Sequence, residues 1–217
     1  MNNYYCELNL PPVLSGTEAI KKIYDFKRSI QRSYVGILTD FNDLLNPELL
    51  KAFEQLDINP VVMIAFGHQA NSNFIMKPYV HADLSRTKDG WVKLPLSINW
   101  EVYDTSVEFN WYDTLGTKEC YPPDINTEDP VYLYGNGINY SERYVSGKPT
   151  PTWNPSWDFK PVQTHIFKHN RATLINTSIP HSAIYSGLEN RLNISLRFDI
   201  NVIPTWESAL ERFKSFI

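Results

Sequence analysis

The chain has little cysteine, little glycine and no excess of positive charge. Its 217 residues hold two cysteines, Cys6 and Cys120, far apart in sequence. Such a pair is no disulfide framework, and two free thiols in a reducing compartment is the simpler reading. Nine glycines exclude collagen-like and linker classes. No run of 18 apolar residues occurs, so no helical membrane span is expected. Met1 to Pro12 shows no basic segment followed by an apolar one. No signal peptide is read there, and the expected location is the cytoplasm. With 24 acidic and 20 basic residues the formal net charge is -4, which argues against a nucleic-acid binder. Without a secretory signal, the glycosylation-like triplets at Asn139, Asn176 and Asn193 read as chance.

What the chain does have is 42% hydrophobic residues, 14% aromatics and 15 prolines. A length near the usual size of ~150 residues per domain favours one domain over residues 1–217. Such a domain buries about 70% of the surface of its unfolded chain and needs no staple to fold. Helical signals come early, in a support segment over residues 1–60. Ser15-Gly16-Thr17-Glu18 can form a capping box. Ile20, Ile23, Phe26 and Ile30 then recur at helical spacing. A second helix opens on Asn46 and Pro47, carries Leu49, Leu50, Phe53 and Leu56, and stops before Asn59-Pro60.

From Pro60 the period changes to two. Val61–Phe66, Phe74–Val80, Val92–Ile98, Val107–Trp111, Val162–Lys168, Ala172–Asn176 and Leu192–Phe198 read as strands. No helical spacer separates them, which points to an antiparallel sandwich or barrel with flanking helices. Trp206 to Phe216 returns to a helical pattern. Between Tyr121 and Pro161 lie seven prolines and eight aromatics. This 121–161 insertion reads either as an ordered lid or as a decorative loop.

The five histidines carry the candidate chemistry. His81 and Asp83 end one strand pattern at positions i and i+2, and so share a face. An imidazole and a carboxylate on one side are two of the three ligands of a facial metal triad. His181, after a distant strand, is the candidate third. In Arg191-Leu-Asn193-Ile-Ser195-Leu-Arg197 the apolar residues face one way and the polar ones the other. Two guanidiniums, an amide and a hydroxyl suit a dicarboxylate, although a solvent-facing strand would also be polar. His165 and His169 sit in a strand pattern and read as structural. His68 reads as a loop residue, Arg86 as an exposed turn residue, and the tryptophans as packing.

His81-x-Asp83, then His181, then Arg191 ten residues later resembles the iron(II)- and 2-oxoglutarate-dependent dioxygenases. Arg191-x-Asn193-x-Ser195-x-Arg197 echoes a strand of the alkylated-base repair branch, where the first Arg lies further past the His. The spacing here is closer to phytanoyl-, prolyl- and aspartyl/asparaginyl-hydroxylase-like members. Leu94–Trp100, Val107–Tyr112 and Leu174–His181 also resemble family strands, and the resemblance spans Phe74 to Phe198.

The resemblance implies a mainly β fold with a double-stranded β-helix (jelly-roll) core and N-terminal helices packed on one sheet. It implies Fe(II) held by His81, Asp83 and His181. It implies 2-oxoglutarate as cosubstrate, its distal carboxylate on Arg191 with help from Ser195 or Arg197. O2 and a small-molecule or peptidyl substrate would complete the reaction, a hydroxylation that releases succinate and CO2. Two other readings stay open: a non-catalytic jelly-roll binding module, and a cupin-like metalloenzyme that does not use 2-oxoglutarate.

Overall fold

A computed structural model describes residues 3–25, 33–68, 80–87, 89–113, 118–120, 136–141, 144–145, 148–149, 159–185 and 190–217. In chain order the elements begin with β1 (Tyr5–Leu8), α1 (Thr17–Asp25), β2 (Ser33–Leu38), α2 (Pro47–Gln55) and β3 (Pro60–His68). β4 (His81–Thr87), β5 (Gly90–Lys93), β6 (Ser97–Glu101), β7 (Val107–Tyr112), β8 (Lys118–Cys120) and β9 (Asn136–Ser141) follow. The last are β10 (Tyr144–Val145), β11 (Lys148–Pro149), β12 (Pro161–Ile166), β13 (Ala172–Ile175), β14 (His181–Tyr185), β15 (Arg191–Phe198) and α3 (Trp206–Phe213).

The described strands form two main antiparallel sheets. One runs β1-β13-β6-β15-β3-β2. The other runs β12-β7-β14-β4-β9-β8, with β5 on β4. The expected antiparallel, mainly β class is therefore present, with three short α-helices among the described residues.

β15 shows how the layers are built. Its eight residues are all buried, so the polar face is not a solvent face. Leu192, Ile194, Leu196 and Phe198 join one apolar cluster with Ala19 and Ile23 of α1, Leu49 and Phe53 of α2, and Ala209 and Phe213 of α3. The helices thus cover one face of the six-stranded sheet, N-terminal ones included, as expected. On the opposite face, cross-strand register aligns Ser195 with Asn99 and Asn99 with Thr173. The Asn193 and Glu101 positions are likewise paired. This polar face looks inward, toward the second sheet.

Local signals explain several elements and correct others. Asn46 accepts a hydrogen bond from the Glu48 N–H at 3.0 Å and Pro47 opens α2, as the sequence indicates. The helix ends at Gln55, and Asp57 follows with a φ of 51°. α1 starts later than a Ser15 cap requires. The Ser15 N–H is tied to the Leu44 carbonyl at 2.9 Å, and the first turn closes on Gly16. Gly16 has a φ of 133°, a conformation that suits glycine. Phe26 and Ile30, expected to extend this helix, lie outside the described residues, as does the expected strand from Phe74 up to Val80. So does most of the 121–161 insertion.

The apparent strand Val92–Ile98 is two strands. Pro95 cannot donate to a ladder, and at Leu94–Leu96 the chain leaves β5 in one sheet for β6 in the other. His68 closes β3 rather than lying in a loop, and Arg86 lies inside β4 opposite Trp91, not in a turn. Trp100 and Trp111 are fully buried packing residues. Asn176 and Asn193 are buried too, which agrees with reading their triplets as chance.

The two faces of β15 lead to opposite expectations for neighbouring residues. Leu196→Ala should cost about 2–5 kcal/mol of stability by urea unfolding, since it opens a cavity under the helices. Ser195→Ala should be near neutral or stabilising, because the Ser195 hydroxyl is buried without a hydrogen-bond partner. Equal losses for the two variants would contradict this division of faces.

Candidate metal centre

β4 and β14 are neighbours in the second sheet, and His81 and His181 are directly paired in register. Their rings lie 4.6 Å apart, centroid to centroid. Asp83, two residues along β4, falls on the same side. His81 Nε2 is 3.7 Å from Asp83 Oδ1, and His181 Nε2 is 3.9 Å from Asp83 Oδ2. One ligand atom from each of the three residues lies within 4.8 Å of the others. Two nitrogens and one carboxylate oxygen so placed can hold a metal ion on one side. The sequence-level triad of His81, Asp83 and His181 is therefore assembled.

Each ligand is held in place. Asp83 donates its backbone N–H to the Thr177 carbonyl at 3.0 Å and accepts from the Leu94 N–H at 2.9 Å. The Thr177 hydroxyl donates to the Leu94 carbonyl at 2.9 Å, closing that corner. His181 Nδ1 is 2.8 Å from the Ile179 carbonyl. A carbonyl only accepts, so Nδ1 carries the proton and Nε2 is left as the ligand atom. The Phe109 ring stacks on His181 at 5.0 Å.

Exposure sets the open side. The His81 side chain is 38% exposed, against 10% for Asp83 and 4% for His181. The site is thus open at His81 and closed behind the other two.

Arg197 crosses from the facing sheet. Its Nη1 lies 2.5 Å from Asp83 Oδ2, both side chains being buried. Burial alone would raise the Asp83 pKa, but Arg197 and the two imidazoles outweigh it and hold the carboxyl below its usual range. Asp83 is therefore an anion, as a metal ligand must be. Arg197 Nε and Ser195 Oγ are buried without hydrogen-bond partners.

Arg191 sits elsewhere on the strand, toward its N-terminal end. Its Nε is 3.4 Å from Glu101 Oε1, and its guanidinium lies 5.7 Å from the Tyr185 ring centroid. Glu101 also accepts from the Thr105 hydroxyl at 3.1 Å and from Asn193 Nδ2 at 3.3 Å. Burial pushes the Glu101 carboxyl up, against the opposing pull of Arg191 and these donors. The sequence reading missed Glu101. The signal was available, since Ser97, Asn99 and Glu101 alternate with Ile98 and Trp100 as the polar residues of β15 do with theirs.

His165 and His169 are not part of this centre. His165 is buried against Tyr5 at 4.1 Å, and His169 is exposed in the turn after β12 with Asn170 on its Nε2.

No family model matches the chain, and no curated protein matches it in sequence. Solved structures similar to it include the epimerase SnoN, described in complex with Fe3+, alpha ketoglutarate and nogalamycin RO. That match has a TM-score of 0.46 at 13% identity and covers 90% of this chain and 78% of that one. HygX from Streptomyces hygroscopicus, described with nickel and 2-oxoglutarate bound, gives 0.41 at 12% identity over 90% and 82%. The E. coli protein ycfD gives 0.40 at 13% identity and covers 81% of this chain. This chain spans 36% of that protein. Likenesses of this size assign no function, and the reading below rests on the chain's own residues.

The ligand set makes stability acid-sensitive. Burial, then the His81 ring, push the His181 pKa down to about 4, while Asp83 and the Ile179 carbonyl pull it up. In the unfolded chain the same imidazole takes its proton near pH ~6.5. Between those values the unfolded state binds the extra proton, so stability is full above ~6.5 and falls with pH toward 4. Asp83, with its lowered pKa, adds a further loss below ~3.9. The metal-free protein should lose on the order of 3 kcal/mol across the His181 window, read from urea midpoints. His181→Gln should flatten that slope. An unchanged slope in the variant would contradict the burial of a neutral imidazole.

Proposed function

We propose that the chain is an Fe(II)- and 2-oxoglutarate-dependent oxygenase on a double-stranded β-helix frame, forming one domain over residues 1–217. The observation that carries this is the convergence of His81, Asp83 and His181, one ligand atom each within 4.8 Å, opposite a buried polar strand. The donor set is two imidazole nitrogens and one carboxylate, which suits non-haem Fe(II) and leaves positions for a chelating cosubstrate. The orphaned Arg197 Nε and Ser195 Oγ fit an anionic cosubstrate, because buried donors without partners are costly unless a ligand meets them.

When bound, Fe(II) and 2-oxoglutarate supply an oxidation driven by O2, with succinate and CO2 as products. The protein's part is positioning. His181 presents Nε2 because Ile179 holds its Nδ1 proton. Asp83 stays ionised because Arg197 faces it. Ser195 Oγ and Arg197 Nε would offer donors to the cosubstrate, and Arg191 would take the distal carboxylate of 2-oxoglutarate. A bidentate guanidinium contact favours an acid with two carboxylates over one with a single carboxylate. The substrate, a small molecule or a peptidyl side chain, approaches past the exposed edge of His81. Hydroxylation is the outcome the sequence resemblance favours.

The buried inward face of β15 favours this reading over a non-catalytic binding module, which has no need of orphaned guanidinium donors beside a metal-type triad. Fe(II) with 2-oxoglutarate should yield succinate above background, and His81→Ala should abolish it. Arg191→Ala should raise the 2-oxoglutarate KM by at least about tenfold, the loss of a charge-assisted pair. Metal binding without succinate formation, and with no effect of Arg191→Ala, would point instead to a cupin-like metalloenzyme.

A further inference from the structure

Arg191 already has a carboxylate beside it. Glu101 is fully buried and accepts from the Thr105 hydroxyl and the Asn193 amide as well as facing Arg191. Its contact with Arg191 is loose. The separation is 3.4 Å, and Arg191 Nε makes no hydrogen bond there. A well-made guanidinium–carboxylate pair closes to ~2.7–2.9 Å with parallel bonds. Arg191 Nε is therefore a donor left unused, while the charge of the guanidinium is already balanced by the carboxylate beside it. A second carboxylate arriving on this guanidinium meets repulsion from Glu101 across a low-dielectric interior.

We propose that Glu101 is a specificity-determining residue that competes for Arg191 and so weakens the hold of this site on dicarboxylate 2-oxo acids. This rests on the functional reading above, in which Arg191 takes the distal carboxylate. Glu101 neutralises Arg191, and it lowers affinity for 2-oxoglutarate without touching acids that lack a second carboxylate.

The test is calorimetric binding to the Mn(II)-loaded protein, which reads affinity and not turnover. The ligands are 2-oxoglutarate and 2-oxobutyrate, which has the same 2-oxo acid head and no distal carboxylate. Glu101→Gln keeps the shape and removes the charge. It should tighten 2-oxoglutarate by roughly tenfold or more, the effect of a unit charge a few ångströms away inside a protein. The affinity for 2-oxobutyrate should not change. A residue that only supports the fold would alter both acids alike. If the wild-type protein binds 2-oxoglutarate and Glu101→Gln binds it equally or more weakly, the inference is overturned and the functional reading stands. If the wild type binds Mn(II) but neither form binds 2-oxoglutarate, the functional reading fails and takes the inference with it. Should Glu101→Gln not fold, Glu101→Asp withdraws the charge from Arg191. It should tighten 2-oxoglutarate by a smaller factor, and an unchanged or weaker affinity overturns the inference.

Discussion

One buried ion pair joins the two sheets at the candidate metal centre. Arg197 stands on β15 and Asp83 on β4, and they meet at 2.5 Å. Taking either charge out of water alone would cost several kcal/mol. Together they compensate, and the pairing fixes where β15 lies over the ligand strands. It also sets the charge state of Asp83, which burial would otherwise neutralise. The ionisation of Asp83 and the direction of the remaining Arg197 donor depend on this contact.

The rest of the architecture keeps that contact in place. The helices spend their apolar faces on one side of the six-stranded sheet, through Ile23, Leu49, Phe53 and Phe213. That leaves its other side free to be polar and still buried. A polar interior is ordinarily a liability, because each unpaired donor carries a desolvation penalty. Three of the buried atoms without partners, Arg191 Nε, Ser195 Oγ and Arg197 Nε, belong to one face of β15, and Arg197 reaches the triad through Asp83. In the proposed function their last partners would come from the cosubstrate.

The site was more legible in the sequence than the fold. His81 and Asp83 two apart, and four polar residues alternating along Arg191–Arg197, are statements of period that hold wherever a strand forms. The α2 boundaries were legible for a similar reason, since Asn46 and Pro47 act on their own backbone. β1, β2 and β14 were not legible. They are short, and their stability comes from partners distant in sequence, such as Ile175 for Tyr5 and Trp111 for His181. The capping box of α3, Thr205 with Ser208, uses a serine where glutamate is the usual signal. The break at Pro95 was hidden because Leu94 and Leu96 keep the alternation while the chain changes sheets. Glu101 was passed over because an acidic residue at a strand end reads as exposed until its neighbours are known.

The central claim is that three side chains from two adjacent strands bind one metal beside an arginine-bearing strand of the facing sheet. The most direct measurement is a crystal structure of the Mn(II)-substituted protein with 2-oxoglutarate. The expected result is one ion with His81 Nε2, an Asp83 oxygen and His181 Nε2 at roughly 2.0–2.3 Å, and 2-oxoglutarate chelating its open side. An ion that leaves out any of the three, or a 2-oxoglutarate molecule bound away from β15, would contradict it.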